Sequence, residues 1–536
     1  MIKNVFFVLS KYLSSFNIKD INQRIGAPMA RRKRNQDNAA TQPTQYDPLA
    51  GIACKIYNPL QPNDLARIVD AAKTVLQQTG IEVGESHCRD VFVNAGCRLD
   101  VDKNRIFIEP ELVDKCLALA SNRVILGGRD GDHFDLDLSG AKVYLGTGGA
   151  AVNIIDTDGK VRETTLADNY HIGRLCDTLQ HIHFYMRPVV SRDLTNEQID
   201  INQTYACLAA TKKHVMTNCY DPSNVQKIRQ MGEMLAGSAE AFDKKPPISM
   251  VAAITVSPLR YAMETVEVLD EAIKYDIPIV TSSAPQAGAT APASLAGTLV
   301  QIIAEQLSGI VYVNLQKPGF PLIIGCVPAQ ADLRTGAFVG GSAEFALLNA
   351  ACGQLARYLD LPIYNSAGIA DAKTPDAQLG SEKTMTTLLA AMSGSNYIHH
   401  SAGFLDSLMT VAYTQYVIDN DSNGQVMRAL RGIDMSDEAL AVQVIHDVCN
   451  GENHFLGHPH TLSLMHSEYD YPKLYDRKSR NDWKDDGSLD INARAKIYAD
   501  DILAHHFPQV IPEEIDNQIR EAFEILLPKS EMQPKS

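Results

Sequence analysis

The stretch LPIYNSAGIADAKTPDAQLGSE, residues 361–382, is typical of the corner between a buried strand and a helix. Residues 362–365 predict a short apolar strand, and a long helix is predicted to begin after Asp376. The loop between them is dense in small and polar side chains: Ser366, Gly368, Asp371, Lys373, Thr374, Asp376 and Gln378. Such corners carry the chemistry of many α/β enzymes, although a solvated connection with Asp376 as N-cap explains this stretch alone equally well.

The same alternation of strand and helix recurs eight times along the chain. Strands are predicted at 143–145, 184–190, 215–218, 248–254, 277–282, 322–325, 363–365 and 397–399. Helices are predicted at 166–179, 197–211, 224–236, 258–274, 293–315, 343–359, 377–393 and 405–417. The β-branched run 310–315 is assigned to its preceding helix because Pro318 and Gly319 follow as a stop signal. Eight such units predict an α/β protein with a (β/α)8 TIM barrel over residues 141–420.

Three further regions flank this predicted barrel. Residues 1–47 are expected to be a disordered or non-native extension, since Met29 begins the sequence MARRKR and could be a second start. Residues 48–140 mix short helices and strands and predict an N-terminal α/β flanking region. Residues 421–536 predict a C-terminal helical cap and tail.

Composition excludes several classes of protein. The chain of 536 residues carries a net charge of −15, which argues against nucleic acid as a partner because phosphate binding needs a basic surface. Its ten cysteines are scattered without a CxxC pair, as in a reducing compartment. The apolar cluster at 5–9 is too short for a signal peptide or a membrane span. A cytoplasmic protein without a membrane partner is therefore predicted.

Histidine and glycine clusters offer alternatives that the residues alone leave open. The glycines at 146–149 lack the spacing of a phosphate-binding loop, which favours close packing or room for a large ligand. His399 and His400 are adjacent in a strand, so at most one is expected to face the mouth of the barrel. The histidines 454, 458, 460 and 466 could bind zinc, but hydrogen bonding across a C-terminal loop is the favoured interpretation, and no metal site is predicted.

Five segments together resemble the trimethylamine methyltransferase family. They are QAGATAPASLAGT (286–298), NLQKPGFPLIIG (314–325), ADLRTGA (331–337), AGIADAKTPDAQLGSEKTMTTLLAAMSGSNYIHHSAG (367–403) and FLGHPHTL (455–462). The resemblance covers about residues 50–510. It implies a barrel that passes a methyl group from a methylated amine to the cobalt of a separate corrinoid protein.

This chain departs from the family's founding members at the loop after the seventh predicted strand. Those members carry pyrrolysine there, and alignment on Asp371-Ala372-Lys373 puts Gly368, or else Ile369, at that position. Members without pyrrolysine are similar to glycine betaine methyltransferases, so a quaternary amine is the expected substrate. The resemblance assigns the catalytic loop to Gly368, Asp371, Lys373, Gln378 and Glu382.

A quaternary ammonium has no N–H to donate and is best held by aromatic faces. The candidates near strand ends are Tyr144, Tyr220, Tyr364 and Tyr397, although a place in the core explains each of them individually just as well. If the substrate carries a carboxylate, Arg334 is the leading candidate to bind it through paired hydrogen bonds, with Gln286 or His399 assisting. Asp332 matches a family loop motif and is expected to shape the mouth.

The corrinoid is expected to be supplied by a partner protein, because the corrinoid-binding pattern DxHxxG is absent from this chain. A homo-oligomer is also expected. Two other hypotheses stay open: a non-catalytic betaine-binding member of the same family, and a metal-dependent hydrolase that uses His399 and the 454–466 histidines. Glycine betaine, proline betaine, carnitine and choline-like compounds all fit as the methyl donor.

Overall fold

The first described segment precedes the central sheet and packs against it. The computed structural model describes residues 47–534, so the predicted extension 1–47 lies outside the described residues except for Asp47. This segment contains β1 (Ile52–Ala53), α1 (Pro62–Gln78), β2 (Ile81–Glu82), α2 (His87–Asn94), β3 (Arg98–Asp100), β4 (Arg105–Phe107), α3 (Pro110–Leu119), β5 (Val124–Leu126) and β6 (Leu136–Leu138). Both α1 and α3 have proline in the first turn, where the missing N–H has no helical partner anyway.

The middle of the chain alternates between strands and helices. Its elements in order are β7 (Lys142–Leu145), β8 (Asn153–Ile155), β9 (Val161–Glu163), α4 (Leu166–Asp177), β10 (Phe184–Met186), α5 (Asn196–Ala210), β11 (His214–Thr217), α6 (Val225–Ala236), α7 (Ala239–Lys244), β12 (Ile248–Ala252), β13 (Thr255–Val256), β14 (Arg260–Tyr261), α8 (Met263–Lys274), β15 (Ile279–Ser283), β16 (Gln286–Ala287), α9 (Leu295–Gln316), β17 (Leu322–Cys326), β18 (Ala329–Ala331), β19 (Phe338–Val339), α10 (Ala343–Tyr358), β20 (Ile363–Ser366), α11 (Ala377–Met392), β21 (Tyr397–His399), β22 (Phe404–Leu405), β23 (Thr410–Ala412) and α12 (Tyr413–Arg431). The predicted α/β class is confirmed.

Eight parallel strands form a curled central sheet. Its order is β7-β21-β20-β17-β15-β12-β11-β10, and β1 adds to β7 as an antiparallel edge strand. These eight strands lie where the sequence places them. A single parallel bridge between Gly146 and Phe184 joins the two end strands, β7 and β10. A fully closed (β/α)8 barrel stays a prediction. Because the strands are parallel, their carboxyl ends share one side of the protein, called here the strand-end face.

Apolar side chains fill the inner side of the curled sheet. Strand alternation points Tyr144, Tyr364 and Tyr397 inward, together with Phe184, Met186, Met216, Val280 and Ile323. The hairpin β5–β6 adds Val124, Leu126, Leu136 and Leu138 to this cluster. Gly127 and Arg129 just after β5 hydrogen-bond to Pro246 and Lys212, which precede strands of the sheet. The hairpin therefore closes the end of the sheet opposite to the strand-end face.

The predicted helix 405–417 is wrong. This segment instead forms the hairpin β22–β23, and the helix α12 runs over 413–431. Asp406, Ser407 and Leu408 have positive φ angles, a conformation that ends a right-handed helix. β23 pairs with β8, and β8 pairs with β9, which makes a small sheet beside the main one. The strand β10 is also shorter than predicted, ending at Met186.

The C-terminal region is helical. It comprises α13 (Asp437–Leu440), α14 (Val442–Cys449), α15 (Pro459–Leu464), α16 (Arg480–Asp485), α17 (Ile491–His505) and α18 (Glu513–Ala522). Among the residues from 47 to 534, one helix, α9, is long and apolar enough to cross a membrane, and it is mostly buried inside the protein. Burial of this kind is typical of a core helix, and the predicted assignment of 310–315 to this helix is confirmed.

Candidate functional site

The predicted site residues fall into three groups and one separate residue. The loop group consists of Gly368, Asp371, Lys373, Gln378 and Glu382 between β20 and α11. The ring group consists of Tyr144, Tyr364, Tyr397 and His399 on the sheet strands. The outer group consists of Gln286, Asp332 and Arg334 in and beside the strands β16 and β18. Tyr220 lies apart from all three, after β11.

Glu382 fixes the start of the loop group. Its Oε2 accepts hydrogen bonds from the backbone N–H of Asp371 at 2.7 Å and of Ala372 at 3.3 Å. Its Oε1 accepts one from Nε2 of Gln378 at 2.7 Å. The helix α11 that carries Glu382 starts at Asp376, whose side chain accepts from the N–H of Gln378 and Leu379 as an N-cap.

Asp371 ties the loop group to two neighbouring loops. Its carboxylate accepts the backbone N–H of Gly340 and of Gly341, each at 3.0 Å, and the hydroxyl of Ser407 at 2.8 Å. Lys373 donates to the carbonyl oxygen of Asp371 at 2.5 Å, and its side chain is 68 % exposed. The carboxylates of this loop are therefore engaged in holding the loops that follow β19, β20 and β22.

Gly368 occupies a position that excludes a side chain. Its φ angle is +71°, and a Cβ atom there would lie 2.7 Å from Cα of Ser401 and 2.8 Å from the carbonyl oxygen of His400. Its N–H donates to Oγ1 of Thr386 at 3.0 Å. The neighbouring Ile369 is buried in an apolar cluster with Ala329 and Phe345. Gly368 has no side chain and that of Ile369 is buried, so neither candidate position for pyrrolysine exposes a side chain.

Replacing Gly368 with alanine is expected to lower the free energy of unfolding by about 2–3 kcal/mol, because the methyl group meets fixed backbone atoms and the left-handed conformation disfavours alanine. Urea denaturation measures this change. Gly380→Ala is the matched control: Gly380 lies in α11 with open space at its Cβ, so alanine should stabilise that helix by up to about 1 kcal/mol. Equal stability of Gly368→Ala and wild type would contradict the predicted constraint.

A buried ion pair beneath the loop group was not predicted from the sequence. Nζ of Lys383 donates to the carbonyl oxygens of Gly368 at 2.5 Å and Phe404 at 3.1 Å, and lies 3.2 Å from Oδ2 of Asp419. Asp419 also accepts from the N–H of Gly403 and from Gln415. Burial lowers the pKa of Lys383 and raises the pKa of Asp419. The sequence does carry one indication of this pair: Lys383 lies one helical turn after Leu379, on the face of α11 that is buried.

Two members of the ring group, Tyr364 and His399, stack against each other. Their ring centroids are 3.9 Å apart with an interplanar angle of 16°. Tyr397 meets Tyr364 edge to face at 5.9 Å. His399 pairs in register with Ser366, one layer closer to the strand ends than Tyr364 and Tyr397. Tyr144 also lies on the inner side of the sheet, but its ring extends toward the end opposite to the strand-end face, where its hydroxyl lies near the backbone of Asp137 and Ala50.

The ring of His399 is buried without a hydrogen-bond partner. Its side chain is 3 % exposed, and neither Nδ1 nor Nε2 has a partner among the described residues. Burial holds the pKa of His399 well below its ordinary value, so the ring is neutral. A buried polar group without a partner is costly, which makes this ring a candidate for contact with a ligand.

His400 and the glycines at 146–149 pack together. A Cβ atom on Gly148 would overlap the ring of His400, and one on Gly146 would overlap Phe184. This geometry supports the close-packing interpretation of the glycine cluster. Nδ1 of His400 lies 3.0 Å from the hydroxyl of Ser366, and Nε2 lies 3.2 Å from the carbonyl oxygen of Gly149. His400 has a φ angle of +63°, which breaks strand alternation, so its ring lies beside that of His399 at 3.9 Å.

Asp332 and Arg334 of the outer group line a surface groove of about 580 Å³ beside α9 and α10. Arg334 forms a two-pronged ion pair with Asp332, with Nε–Oδ1 at 3.0 Å and Nη2–Oδ2 at 2.7 Å. The Arg334 guanidinium holds the pKa of Asp332 at about 2. The side chain of Arg334 is 88 % exposed, whereas His399 is buried, so the structure does not bring these two predicted substrate contacts together. Gln286 reaches this group through the pairing of β16 with β18.

Tyr220 is exposed and lines another groove with Asp221, Glu197 and Val190. The buried carboxylate of Asp200 accepts the N–H groups of Tyr220 and Asp221 at 3.0 Å each and fixes this loop. Between residues 47 and 534 no three histidine, cysteine, aspartate or glutamate side chains are grouped closely enough to hold a metal ion. Of the C-terminal histidines, His458 accepts a local hydrogen bond from the N–H of His460.

Comparison with known proteins explains why these loop motifs occur together. The family model described as trimethylamine methyltransferase (MTTB) matches residues 28–525. The chain belongs to the trimethylamine methyltransferase family. A trimethylamine methyltransferase of Methanosarcina barkeri (strain Fusaro) is 35 % identical over 495 residues, which cover 91 % of this chain and 97 % of that relative.

A glycine betaine methyltransferase of Desulfitobacterium hafniense (strain Y51) is 28 % identical to this family member over 466 residues, covering 87 % of this chain and 96 % of the relative. Among solved structures, the monomethylamine methyltransferase of Methanosarcina barkeri aligns with a TM-score of 0.43 and 12 % identity over 85 % of this chain and 95 % of that one. As a member of the trimethylamine methyltransferase family, the protein is a methyltransferase.

Proposed function

We propose that this methyltransferase transfers a methyl group from a quaternary amine, glycine betaine or a related betaine, to the Co(I) corrinoid of a separate corrinoid protein. The observation that carries the proposal is the stacked pair Tyr364–His399 on the inner side of the sheet. The pair is aromatic, buried and neutral, and it lies at the end of the strands where α/β barrels bind substrates.

A quaternary ammonium matches the chemistry of these rings. It has a positive charge and no N–H, so it gains from the face of an aromatic ring and requires no hydrogen-bond acceptor. A protonated histidine beside it would repel it, and the lowered pKa of His399 keeps that ring uncharged. The single N–H of neutral His399 is also unpartnered among residues 47–534, and in the proposal it donates to the carboxylate of the betaine.

The lack of room for a side chain at Gly368 favours a quaternary amine over a tertiary amine as the methyl donor. In this family pyrrolysine belongs to the trimethylamine-type members, and here a side chain at position 368 would collide with the backbone of Ser401 and His400. A quaternary amine needs no such activating group, since loss of one methyl leaves a neutral tertiary amine that keeps the N–C electron pair. The chain then has to position the donor and exclude water, without a protein acid or base.

The loop and outer groups have supporting roles in the proposal. Asp371, Lys373, Gln378 and Glu382 hold the loop that borders the ring group, through the hydrogen bonds described above. Arg334 and Gln286 act at the rim, where Arg334 attracts the carboxylate of the incoming betaine and must leave Asp332 to bind it. Among the tyrosines, Tyr364 and Tyr397 face the donor, while Tyr144 supports the opposite end.

The corrinoid is a substrate brought by its own protein, which docks on the strand-end face in this proposal. Four large apolar side chains in the segments that follow the sheet strands are 41–72 % exposed: Tyr220, Val256, Leu333 and Met409. Exposed apolar groups around a substrate entrance are typical of a protein interface. The corrinoid supplies the nucleophile that takes the methyl group. We further propose that the sheet closes as a (β/α)8 barrel through the bridge between Gly146 and Phe184.

Methyl transfer to added Co(I) cobalamin tests this function with glycine betaine, proline betaine, carnitine and trimethylamine as donors. One quaternary amine is expected to convert Co(I) to methyl-Co(III), followed by absorbance, and trimethylamine is expected to give no conversion. His399→Ala should lower kcat/KM for that amine by at least about 10-fold, because it removes one stacked face and one donor. His505→Ala, on the exposed end of α17, is the matched control and should leave the rate unchanged.

Two outcomes would contradict the proposal. Calorimetric binding of a betaine without methyl transfer would support the non-catalytic betaine-binding alternative. Transfer from trimethylamine and from none of the quaternary amines would show that a tertiary amine is activated without pyrrolysine.

A further inference from the structure

An arm of residues 433–466 leaves the end of α12 and has almost no buried residue of its own. Val448 is the only buried residue of this segment. The arm is nevertheless folded, since it contains α13, α14 and α15. Ser436 and His458 cap α13 and α15 through local hydrogen bonds, and Gln443 bonds to Asp447 within α14. The helices of the arm therefore form without a core that would bury their apolar side chains.

Eight large apolar side chains of this arm face solvent. They are 44–74 % exposed and comprise Ile433, Met435, Leu440, Val442, Ile445, Phe455, Leu456 and Leu462. The largest apolar patch on a typical monomer is about 300–600 Å². Eight side chains at this exposure can supply the area of about 800 Å² that each partner buries in a stable protein interface. We propose that this arm is the interface through which the protein binds a second copy of itself.

The base of the arm is firmly attached to the body of the protein. Nε of Arg428 donates to the carbonyl oxygen of Glu468 at 2.6 Å, and its Nη2 lies 3.1 Å from the Glu468 carboxylate. Nη1 of Arg431 donates to the carbonyl oxygen of Ser467 at 2.9 Å. Both ends of the arm are thus held at the end of α12, which presents the arm in one orientation and lowers the entropic cost of association.

The position of the arm argues for a second copy over the corrinoid protein. Gly432 lies against the side chain of Lys55, just after β1, and β1 pairs with the beginning of β7. The arm therefore starts at the end of the sheet opposite to the strand-end face. A corrinoid protein that reaches the methyl donor has to dock on the strand-end face, whereas both ends of the arm join the body on the opposite side.

The composition of the surface gives the second argument. Interfaces between copies of one chain are more apolar than those of transient complexes, whose composition resembles the rest of the surface. A surface present on every copy also forms a closed dimer by twofold symmetry, with each arm contacting the other. The exposed apolar side chains on α14 and on the segment before α15 match the composition of such a permanent interface.

Sedimentation of the full chain tests the proposal and requires no methyl transfer. The wild-type protein is expected to have at least twice the 58.7 kDa mass of one chain at micromolar concentration. The variant Val442→Asp/Leu456→Asp is expected to dissociate about 100-fold more readily, since two charges must be buried to re-form the interface. Both side chains are exposed in the single chain, so its stability should not change. Val101→Asp/Val161→Asp introduces the same charges at exposed positions outside the arm and should keep the oligomer.

Cys449 provides a second measurement. It lies on α14 and is the exposed member of the ten cysteines, so a fluorophore can be attached to it selectively. Energy transfer between labels on two copies is expected for wild type and for the Val101/Val161 control, and should be lost in the Val442/Leu456 variant. A monomeric wild-type chain would overturn the proposal. So would loss of corrinoid-protein binding in the arm variant with an unchanged mass, which would assign the arm to that partner.

Discussion

Lowering the pH from 7.5 to 5 is expected to reduce the free energy of unfolding by at least about 6 kcal/mol, through buried histidines that stay neutral in the folded protein. His183, His214 and His400 account for this amount, and His181 and His399, whose pKa values are also lowered by burial, add to it. Burial lowers the pKa of His183 and of His214 to about 4, and that of His400 to about 3. In the unfolded chain each histidine has a pKa near 6.5. Between pH 6.5 and 4 the unfolded state therefore binds protons that the folded state does not, and the stability falls as the pH falls.

Burial is the cause of the lowered pKa of these rings, and the backbone carbonyl oxygens that accept hydrogen bonds from them act in the opposite direction without cancelling it. Nδ1 of His183 accepts the N–H of Leu145, and its Nε2 donates to the carbonyl oxygen of Pro48 at 2.8 Å. In His214, Nδ1 donates to the carbonyl oxygen of Gly127 and Nε2 accepts from Ser249. A second proton on His183 would add a charge to a ring that is fully buried, and this desolvation is the main reason why the ring stays neutral. Each ring that stays neutral lowers the free energy of unfolding by about 2 kcal/mol between pH 7.5 and pH 5.

Urea midpoints measured from pH 7.5 to 5 check this prediction. Buried carboxyl groups with a raised pKa, such as Glu305, act in the opposite direction and reduce the total slope. The variant His214→Asn removes the contribution of one ring. Its free energy of unfolding should therefore fall by about 2 kcal/mol less than that of the wild type between pH 7.5 and 5. His505→Asn removes an exposed histidine and should leave the slope unchanged. A slope that is the same in wild type and His214→Asn would show that His214 becomes protonated without cost.

Replacing Lys383 with methionine is expected to lower the free energy of unfolding by about 3–5 kcal/mol, because it leaves the buried carboxylate of Asp419 without its cation. The carbonyl oxygens of Gly368 and Phe404 lose their donor in the same step. Methyl transfer should fall as well, since the Gly368 loop is no longer held against α11. Urea denaturation and the cobalamin assay measure the two effects separately.

Two further variants separate the ion pair from the volume of the side chain. Lys383→Met/Asp419→Leu removes both charges and should recover most of the lost stability, because an apolar pair of similar size has no charge to bury. Lys373→Met changes an exposed lysine in the same loop and should alter stability by less than about 0.5 kcal/mol. If Lys383→Met is as stable as Lys373→Met, Asp419 is protonated in the folded protein and the pair is not ionic.

Much of the central sheet was predictable because its physics is local. Each strand is a short apolar run that ends in small or polar residues, and both faces of a parallel strand are covered. The helix α12 was mispredicted for the opposite reason. Its middle reads DNDSNG, a composition typical of loops, yet Asp419, Asn420 and Asp421 are buried by partners far away in the sequence. Leu474, for example, donates its N–H to Asp421.

In the candidate site, too, some features were predictable from the sequence and others depend on contacts between distant residues. The loop residues were found by their resemblance to a family, and the structure adds the hydrogen bonds that they make. The lack of a hydrogen-bond partner for the ring of His399 could not be predicted, since it depends on which polar groups the folded chain places around the ring. Arg334 was selected for its charge and its place in a motif, and the sequence carries no signal that Asp332, two residues earlier, would pair with it.

The strand β7 has a consequence for how the chain is made. Its parallel neighbour in the sheet is β21, so the pairing of Tyr144 with Tyr397 can form only after residue 397 has been synthesised. At ribosomal rates the chain between them takes on the order of tens of seconds to synthesise. During that time β7 is bordered by the two-residue strand β1, by the hairpin β5–β6 and, once β10 has been made, by the single bridge from Gly146 to Phe184. The nascent protein therefore exposes the β21 edge of this apolar strand during most of its translation, and this edge is where a chaperone would be needed first.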